Sequence, residues 1–393
     1  VTATAHIVGT ATTPMQRRDL SAEQMAHQVV ADALADAGLA PSDISLVVVG
    51  NATAGRLLDQ GCIRGQTFLL DAGLTDAGIV NVDNSCAGGA SALHLAALAT
   101  QGGAGHVLAV GVEKMWTGDR TETLAGIEDG VPIVDREFMH AHWENPSGSV
   151  LMALNARWTL EHMEAWGTTP EQVAAAAVKA RRHGALNPHA QFQSEVTLAE
   201  VLASPVIVPP LTRLMCSSFT DGGAAVVLSA EPRAGAPKIR STTSRSGNGS
   251  IDYHERLAQA AAAAWEASGV DPADVDVVEL HDATAAEEIC ALESLGFYAP
   301  GQAAAATAAG DTALGGRGVT VNTSGGLVAR GHPLGATGIA QVVELVAQLR
   351  DEAGARQVEG ARLAVAANTG GMIGSHAGTT DAAFIGIHVL EAG

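Results

Sequence analysis

The chain is 393 residues long, enough for about two or three domains, and its 22 Lys and Arg against 42 Asp and Glu leave a net charge of −20. That balance excludes a nucleic-acid footprint, and it means that any polyanionic ligand must be gripped by local Arg, Lys and helix N-termini against the overall field. Cys62, Cys86, Cys216 and Cys290 show no paired spacing, which excludes a disulfide framework or zinc knuckle and fits a reducing cytoplasm. With neither a charged-then-apolar leader nor an apolar run long enough to span a bilayer, a cytoplasmic protein is the expectation.

In chain order, Ala5 to Gly9 reads as a short strand, followed by a loop through Arg17 and Arg18. A helix follows from Ala22 to Ala37, with Ser21 as its N-cap and Gly38 as its terminator, and Ser45 to Gly50 is a buried strand. The strand Gly78 to Asp83 then runs through Asn84-Ser85-Cys86-Ala87-Gly88-Gly89 into a helix from Ala90 to Ala99. Cys86 thus sits on a tight turn between strand and helix. Glycines after it let backbone approach closely, and the helix N-terminus offers unpaired N–H groups and a positive partial charge. A thiol there ionises more easily, and a nearby carbonyl oxygen finds donors waiting. From this stretch alone a buried structural cysteine remains the commoner outcome.

After the strand His106 to Gly111, residues from about 115 to 213 carry Trp116, Trp143, Trp158 and Trp166, four of the five tryptophans. This span reads as an inserted lid or substrate-binding subdomain, with packing at an oligomer interface as the alternative. The strand Gly223 to Ser229 closes the first part of the chain, and residues 230–248, rich in Pro, Ser and Arg, join it to the second. There the order recurs: a helix from Glu255 to Ser268 closed by Gly269, a strand from Asp276 to Leu280, and the turn Gly331-His332-Pro333-Leu334-Gly335. A helix from Ala336 to Leu349 and strands Arg362 to Ala366 and Ala382 to Val389 complete it. Two copies of one strand–helix–strand unit predict two halves, 1–235 and 236–393, with parallel-rich α/β sheets. The nearly uncharged helix after Cys86 is expected between the sheets, buried on all sides.

This two-copy plan, with a turn cysteine in one half and Gly331-His332-Pro333-Leu334-Gly335-Ala336-Thr337-Gly338 in the other, resembles the thiolase superfamily. Gly111-Val112-Glu113-Lys114-Met115, Asp221-Gly222-Gly223-Ala224-Ala225 and Asn322-Thr323-Ser324-Gly325-Gly326 extend the resemblance over nearly the whole chain. His281-Asp282-Ala283-Thr284 looks like the His-Asp-Cys-Phe stretch of sterol-carrier-protein-type thiolases. The resemblance implies a five-layered α-β-α-β-α fold, a homodimer or tetramer, and an acyltransferase that cleaves or forms a 3-oxoacyl-CoA by Claisen chemistry. It implies Cys86 as nucleophile, His332 as its base, and His332 with His281 as the oxyanion hole for the thioester enolate. The N–H of Cys86 and a glycine of Gly370-Gly371 would form the second hole.

One part is missing. Related thiolases use a second cysteine as acid/base, in the His-Asp-Cys-Phe stretch or in a Cys-x-Gly turn near the C-terminus. Here those regions read Ala283 and Ala366-Ala367-Asn368-Thr369-Gly370-Gly371. His140 or His142 on the inserted span is the expected replacement, and a decarboxylative condensation or another carbon–carbon acyl transfer is the rival reading. A non-catalytic lipid-binding subunit predicts loss of Cys86, His281 or His332, and all three are present. Coenzyme A phosphates would meet Arg181, Arg182 and Lys179 with Arg213, unless that basic run is only a solvated helix face. No metal is expected in this chain. The His-Asp-Ala-Thr stretch also resembles chains that work beside a small zinc-ribbon/OB-fold companion subunit on unusual acyl groups, aromatic ones included.

Overall fold

Ten strands in a computed structural model describing residues 4–17 and 19–393 repeat one order twice; Arg18 lies outside the described residues. They are β1 (Ala5–Thr12), β2 (Ile44–Gly50), β3 (Gly78–Val82), β4 (His106–Glu113) and β5 (Gly222–Ser229), then β6 (Lys238–Ser246), β7 (Val277–Leu280), β8 (Thr320–Val321), β9 (Leu363–Ile373) and β10 (Asp381–Glu391). The first five lie in the order β3-β2-β4-β5-β1 and the second five as β8-β7-β9-β10-β6. The two sets meet edge to edge where Ala5 faces Ile239 and His6 faces Lys238. Within each set only three neighbouring strands are parallel; the closing and first strands run antiparallel. The sheets are therefore mixed rather than parallel-rich.

Residues 230–248 are not simply a connector, because they contain β6. Its Lys-Ile-Arg-Ser-Thr-Thr-Ser-Arg-Ser sequence lacks the apolar run expected of a buried strand. Its inward polar groups are instead hydrogen-bonded: Thr242 Oγ1 and Ser244 Oγ meet the two ring nitrogens of His94, at 2.8 and 3.2 Å. By contrast β5 is buried at every residue, as its continuous apolar run requires.

The helices that matter for the site are α1 (Ala22–Ala37), α2 (Gly88–Gln101), α3 (Ile133–His142), α4 (Val150–Trp166), α5 (Pro170–Ala185), α6 (Tyr253–Ser268), α7 (Ala285–Ser294) and α8 (Leu334–Leu349). Ser21 and Gln24 close a capping box on α1, and Gly38 ends it at φ 66°. α2 and α8 pack together in the central layer, where Leu93, Ala96 and Ala97 meet Ile339, Val342 and Leu345. α2 is not enclosed on every side: Leu95 and Leu98 are 40% and 46% exposed. Among the described residues no helix is long and apolar enough to cross a membrane.

The turn before α8 is locked against the first half by glycines and one carboxylate. A Cβ on Gly335 would lie 2.7 Å from Asn51 Cα and 2.8 Å from Gly50 O, both backbone atoms that cannot move aside. Glu113, buried at the end of β4, accepts hydrogen bonds from Asn51 Nδ2, Ala52 N, Thr53 N, Thr53 Oγ1 and, across the halves, Gly335 N at 2.8 Å. Burial pushes its carboxyl up, opposed by these donors. Gly335→Ala is expected to cost about 1–3 kcal/mol in urea unfolding, as overpacking does, whereas Gly61→Ala, which meets open space, is expected to change stability little.

Candidate active site

Cys86 sits on the turn between β3 and α2, where Ser85 is held at φ 52° and the Ser85 N–H donates to Asp83 Oδ1. Two glycines make room for that turn. A Cβ on Gly130 would strike Ser85 Oγ, and one on Gly370 of β9 would lie on Asn84 O and Ala87 N. Strand β9 from the second half can therefore lie directly on the cysteine turn.

Two histidines reach Cys86 from that half. His281 follows β7 and its backbone N–H donates to Ala367 O; His332 precedes α8. Cys86 Sγ and one ring nitrogen of each histidine lie within 4.8 Å of one another, and all three residues are buried. The rings pack edge to face with centroids 5.1 Å apart.

Their environments differ sharply. His332 Nδ1 lies 2.8 Å from Thr337 Oγ1, whose own hydroxyl donates to Pro333 O at 3.0 Å. The threonine proton is thus spent, so His332 carries its proton on Nδ1 and leaves Nε2 bare. Burial first, then the neighbouring His281 and Arg330 charges, hold His332 well below the usual histidine range, and it is neutral. His281 Nδ1 donates to Glu287 Oε1 at 2.8 Å. Burial opposes its charged form, but the Glu287 carboxylate and the Cys86 sulfur overcome that and lift His281 to about 10. Its Nε2 is buried with no hydrogen-bond partner among the described residues. Cys86 Sγ is near enough for its interaction with His281 to add to that rise.

Glu287 is the site residue that the sequence reading missed. It stands in the first turn of α7, capped by Thr284, where its Oε2 also accepts the Ala283 N–H and its Oε1 the Tyr253 hydroxyl at 3.1 Å. The available signal was two acids, Glu287 and Glu288, inside an otherwise apolar helical run. Glu288 explains Lys179 as well: the two form a buried ion pair at 2.7 Å, so Lys179 faces no ligand.

Cys86, His281, His332, Ala283, Gly370 and Gly371 line one cavity of about 460 Å³. Its wall includes residues from the span 115–213, among them Ile127, Met152, Trp158, Phe192 and Arg213. Arg181 lines it too, but Arg182 is exposed and turned away. His140 and His142 are not part of it. The buried stripe of α3 is Asp135 and Met139, which throws both histidines outward. His140 Nε2 meets Glu128 Oε2 at 3.2 Å, and His142 stacks on Phe138. Of the four tryptophans in the span only Trp158 lines the cavity, stacked on Tyr253 at 4.5 Å. Cys216 also lines it, its thiol pushed up by burial to about 12.

The Cys86, His281 and His332 trio has donor types that suit zinc. What the arrangement can do is take a proton at His332 Nε2, donate one from His281 Nε2, and attack with sulfur.

The N-terminal thiolase domain model matches residues 5–232, and the thiolase C-terminal domain-like model matches residues 241–380. The chain is 37% identical to the acetyl-CoA acetyltransferase of Methanothermobacter thermautotrophicus, over 91% of this chain and 94% of that protein. It is 36% identical to bovine sterol carrier protein 2, over 88% of this chain and 66% of that longer protein. To the benzoylsuccinyl-CoA thiolase subunit BbsB of Thauera aromatica it is 32% identical, over 93% and 94% of the two chains. Among solved structures it overlays an Ltp2-ChsH2(DUF35) aldolase with TM-score 0.80 at 23% identity, covering 99% and 98% of the chains. It overlays human mitochondrial 3-ketoacyl-CoA thiolase with TM-score 0.71 at 18% identity, covering 99% of each. The chain belongs to the thiolase family. It is an enzyme of the thiolase acyltransferase type.

If His281 acts as a proton donor and His332 as a base, kcat/KM should stay level from near neutral pH upward and fall as pH rises through about 10, where His281 loses its proton. Glu287→Gln removes the charge that raises His281, so the alkaline limb should move toward neutral pH; a limb that stays put would contradict this assignment.

Proposed function

We propose that the enzyme cleaves, or in reverse forms, a 3-oxoacyl-CoA through an acyl-Cys86 intermediate. The observation that carries this reading is the meeting of Cys86 with a neutral His332 and a charged His281 in one cavity. In cleavage, His332 Nε2 takes the thiol proton as Sγ attacks the C3 carbonyl. The oxyanion so formed is held by the Cys86 N–H and the Gly370-Gly371 stretch. The C2–C3 bond then breaks, its electron pair stays on C2, and the thioester enolate oxygen is held by His281 Nε2–H. The proton on His332 passes to C2. Incoming coenzyme A next gives its thiol proton to His332 and attacks the acyl group; Sγ leaves and recovers that proton.

In this scheme one histidine carries the proton at each stage, so the enzyme works without the second cysteine whose place Ala283 takes. Glu287 and, through it, Tyr253 position His281. The exposed cations along the cavity, Arg213 with Arg17 and Arg120, are assigned to the coenzyme A phosphates. The halves 1–235 and 236–393, with 115–213 as a lid, are the units we assign, the lid because it supplies so much of the cavity wall.

Two partners belong to this reading. A homodimer or tetramer is supported by the unpaired outer edge of β3 and by Val80, Leu95 and Leu98, which stay exposed on β3 and the adjoining α2. A small zinc-ribbon/OB-fold companion is supported by relatives whose names carry a subunit designation and a DUF35 component. The apolar cavity fits a bulky or aromatic acyl group better than acetyl alone.

Mixing the protein with acetoacetyl-CoA and recording its intact mass should show an acetyl adduct that Cys86→Ser loses. His332→Asn should lower kcat/KM about 10²–10⁴-fold, as loss of a general base does. No adduct with any 3-oxoacyl thioester, with or without a companion subunit, would overturn the reading; carbon dioxide release from malonyl-CoA would favour decarboxylative condensation.

A further inference from the structure

Four arginines line the cavity, and three of them, Arg17, Arg120 and Arg213, are exposed. Arg181 is different. It is 7% exposed and lines the cavity from α5, in a wall that also includes Phe192, Val328 and Leu214. Its guanidinium lies over the Phe192 ring at 4.8 Å, with Nε donating to Ser194 O at 3.1 Å and Nη2 to Ser194 Oγ at 2.9 Å. That clamp fixes one edge of the planar fork. Nη1 has no hydrogen-bond partner among the described residues.

No carboxylate answers this buried charge. Arg181 forms no ion pair among the described residues, and Glu200, whose charge bears on it from a distance, is exposed and caps its own helix through Thr197. The acid that does line the cavity, Glu287, is occupied by His281 and Tyr253. Burial pulls Arg181 below its ordinary range, which marks the cost of leaving it unmatched. Buried guanidinium groups are rarely left so unless a ligand completes them, and a rigid fork with a free edge suits a carboxylate held by two parallel hydrogen bonds.

We infer that Arg181 is a specificity subsite for a free carboxylate on the acyl chain, so that the preferred substrates are 3-oxoacyl-CoA thioesters of dicarboxylic acids. This rests on the cavity being the thioester site proposed above. It also separates Arg181 from the arginines assigned to phosphate: those are exposed, as contacts to coenzyme A phosphates require, whereas Arg181 is buried in the cavity wall and stacked on Phe192.

The test is equilibrium binding to the Cys86→Ser variant, so that affinity is read without turnover. Glutaryl-CoA and adipyl-CoA are compared with chain-matched pentanoyl-CoA and hexanoyl-CoA, using the fluorescence of Trp158 in the cavity wall. The expected result is at least a tenfold preference for one carboxylate-bearing thioester over its uncharged match. Adding Arg181→Met should erase that preference, while Arg181→Lys, which keeps the charge without the fork, should retain part of it. Equal affinity for matched thioesters in the parent protein would overturn the assignment. So would an Arg181→Met variant that weakens both members of a pair alike, the behaviour of a coenzyme A phosphate ligand. Failure to form acyl-Cys86 in the mass experiment, with the carboxylate preference intact, would remove the thiolase mechanism and leave the subsite standing.

Discussion

The contact on which the site depends is one that only glycine permits. His332 reaches Cys86 because the turn ahead of α8 presses backbone to backbone on the first half, with Gly335 against Gly50 and Asn51 and Gly89 against Gly335. Glu113 then ties the turn down through the Gly335 N–H. A single methyl group at the contact would push the two halves of the site apart. Gly370 does the same for β9, bringing that strand onto the cysteine turn from the other side. Fold repetition alone would give two similar halves; these close approaches turn them into one site.

Once the groups are together, electrostatics divides the labour. Two imidazoles in one buried space cannot both be charged, and Glu287 decides which one is. The carboxylate binds to His281, and the resulting cation keeps His332 neutral. Thr337 settles which nitrogen of His332 is bare. The proposed division into donor and base therefore follows from two hydrogen bonds behind the rings rather than from anything the rings contact in front. In the proposed scheme the same logic accommodates Ala283: a neutral histidine with one free nitrogen carries a single proton back and forth.

Much of this was legible in the sequence, and the parts that were not have a common cause. A cysteine at a strand–glycine–helix turn, a histidine at the end of an apolar strand and a histidine in a Gly-Pro turn are local patterns, and the repeat aims them at one another. β6 was hidden because its inward residues are Ser and Thr, bonded to His94 rather than packed in oil. The enclosed face expected for α2 is open at Leu95 and Leu98, because enclosure on that side is not supplied by this chain. His140 and His142 looked suited to acid/base work by residue type, but the buried stripe of α3 is set by Asp135 and Met139, and helical spacing turns the histidines out. Glu287 lay beyond reach for the opposite reason: an acid in a helix usually reads as surface, and only the fold shows it buried beneath His281. Arg181 and Arg182 are neighbours in sequence, yet one lines the cavity and the other faces away, a distinction that belongs to α5 packing alone.

Everything at the site turns on Glu287 making His281 a cation beside a neutral His332. Nitrogen-15 NMR of the protein labelled at histidine, with His281→Asn and His332→Asn used for assignment, reads both states directly. At pH 7.5 both ring nitrogens of His281 are expected to carry protons and His332 to carry one, on Nδ1. A neutral His281, or a charged His332, would contradict this.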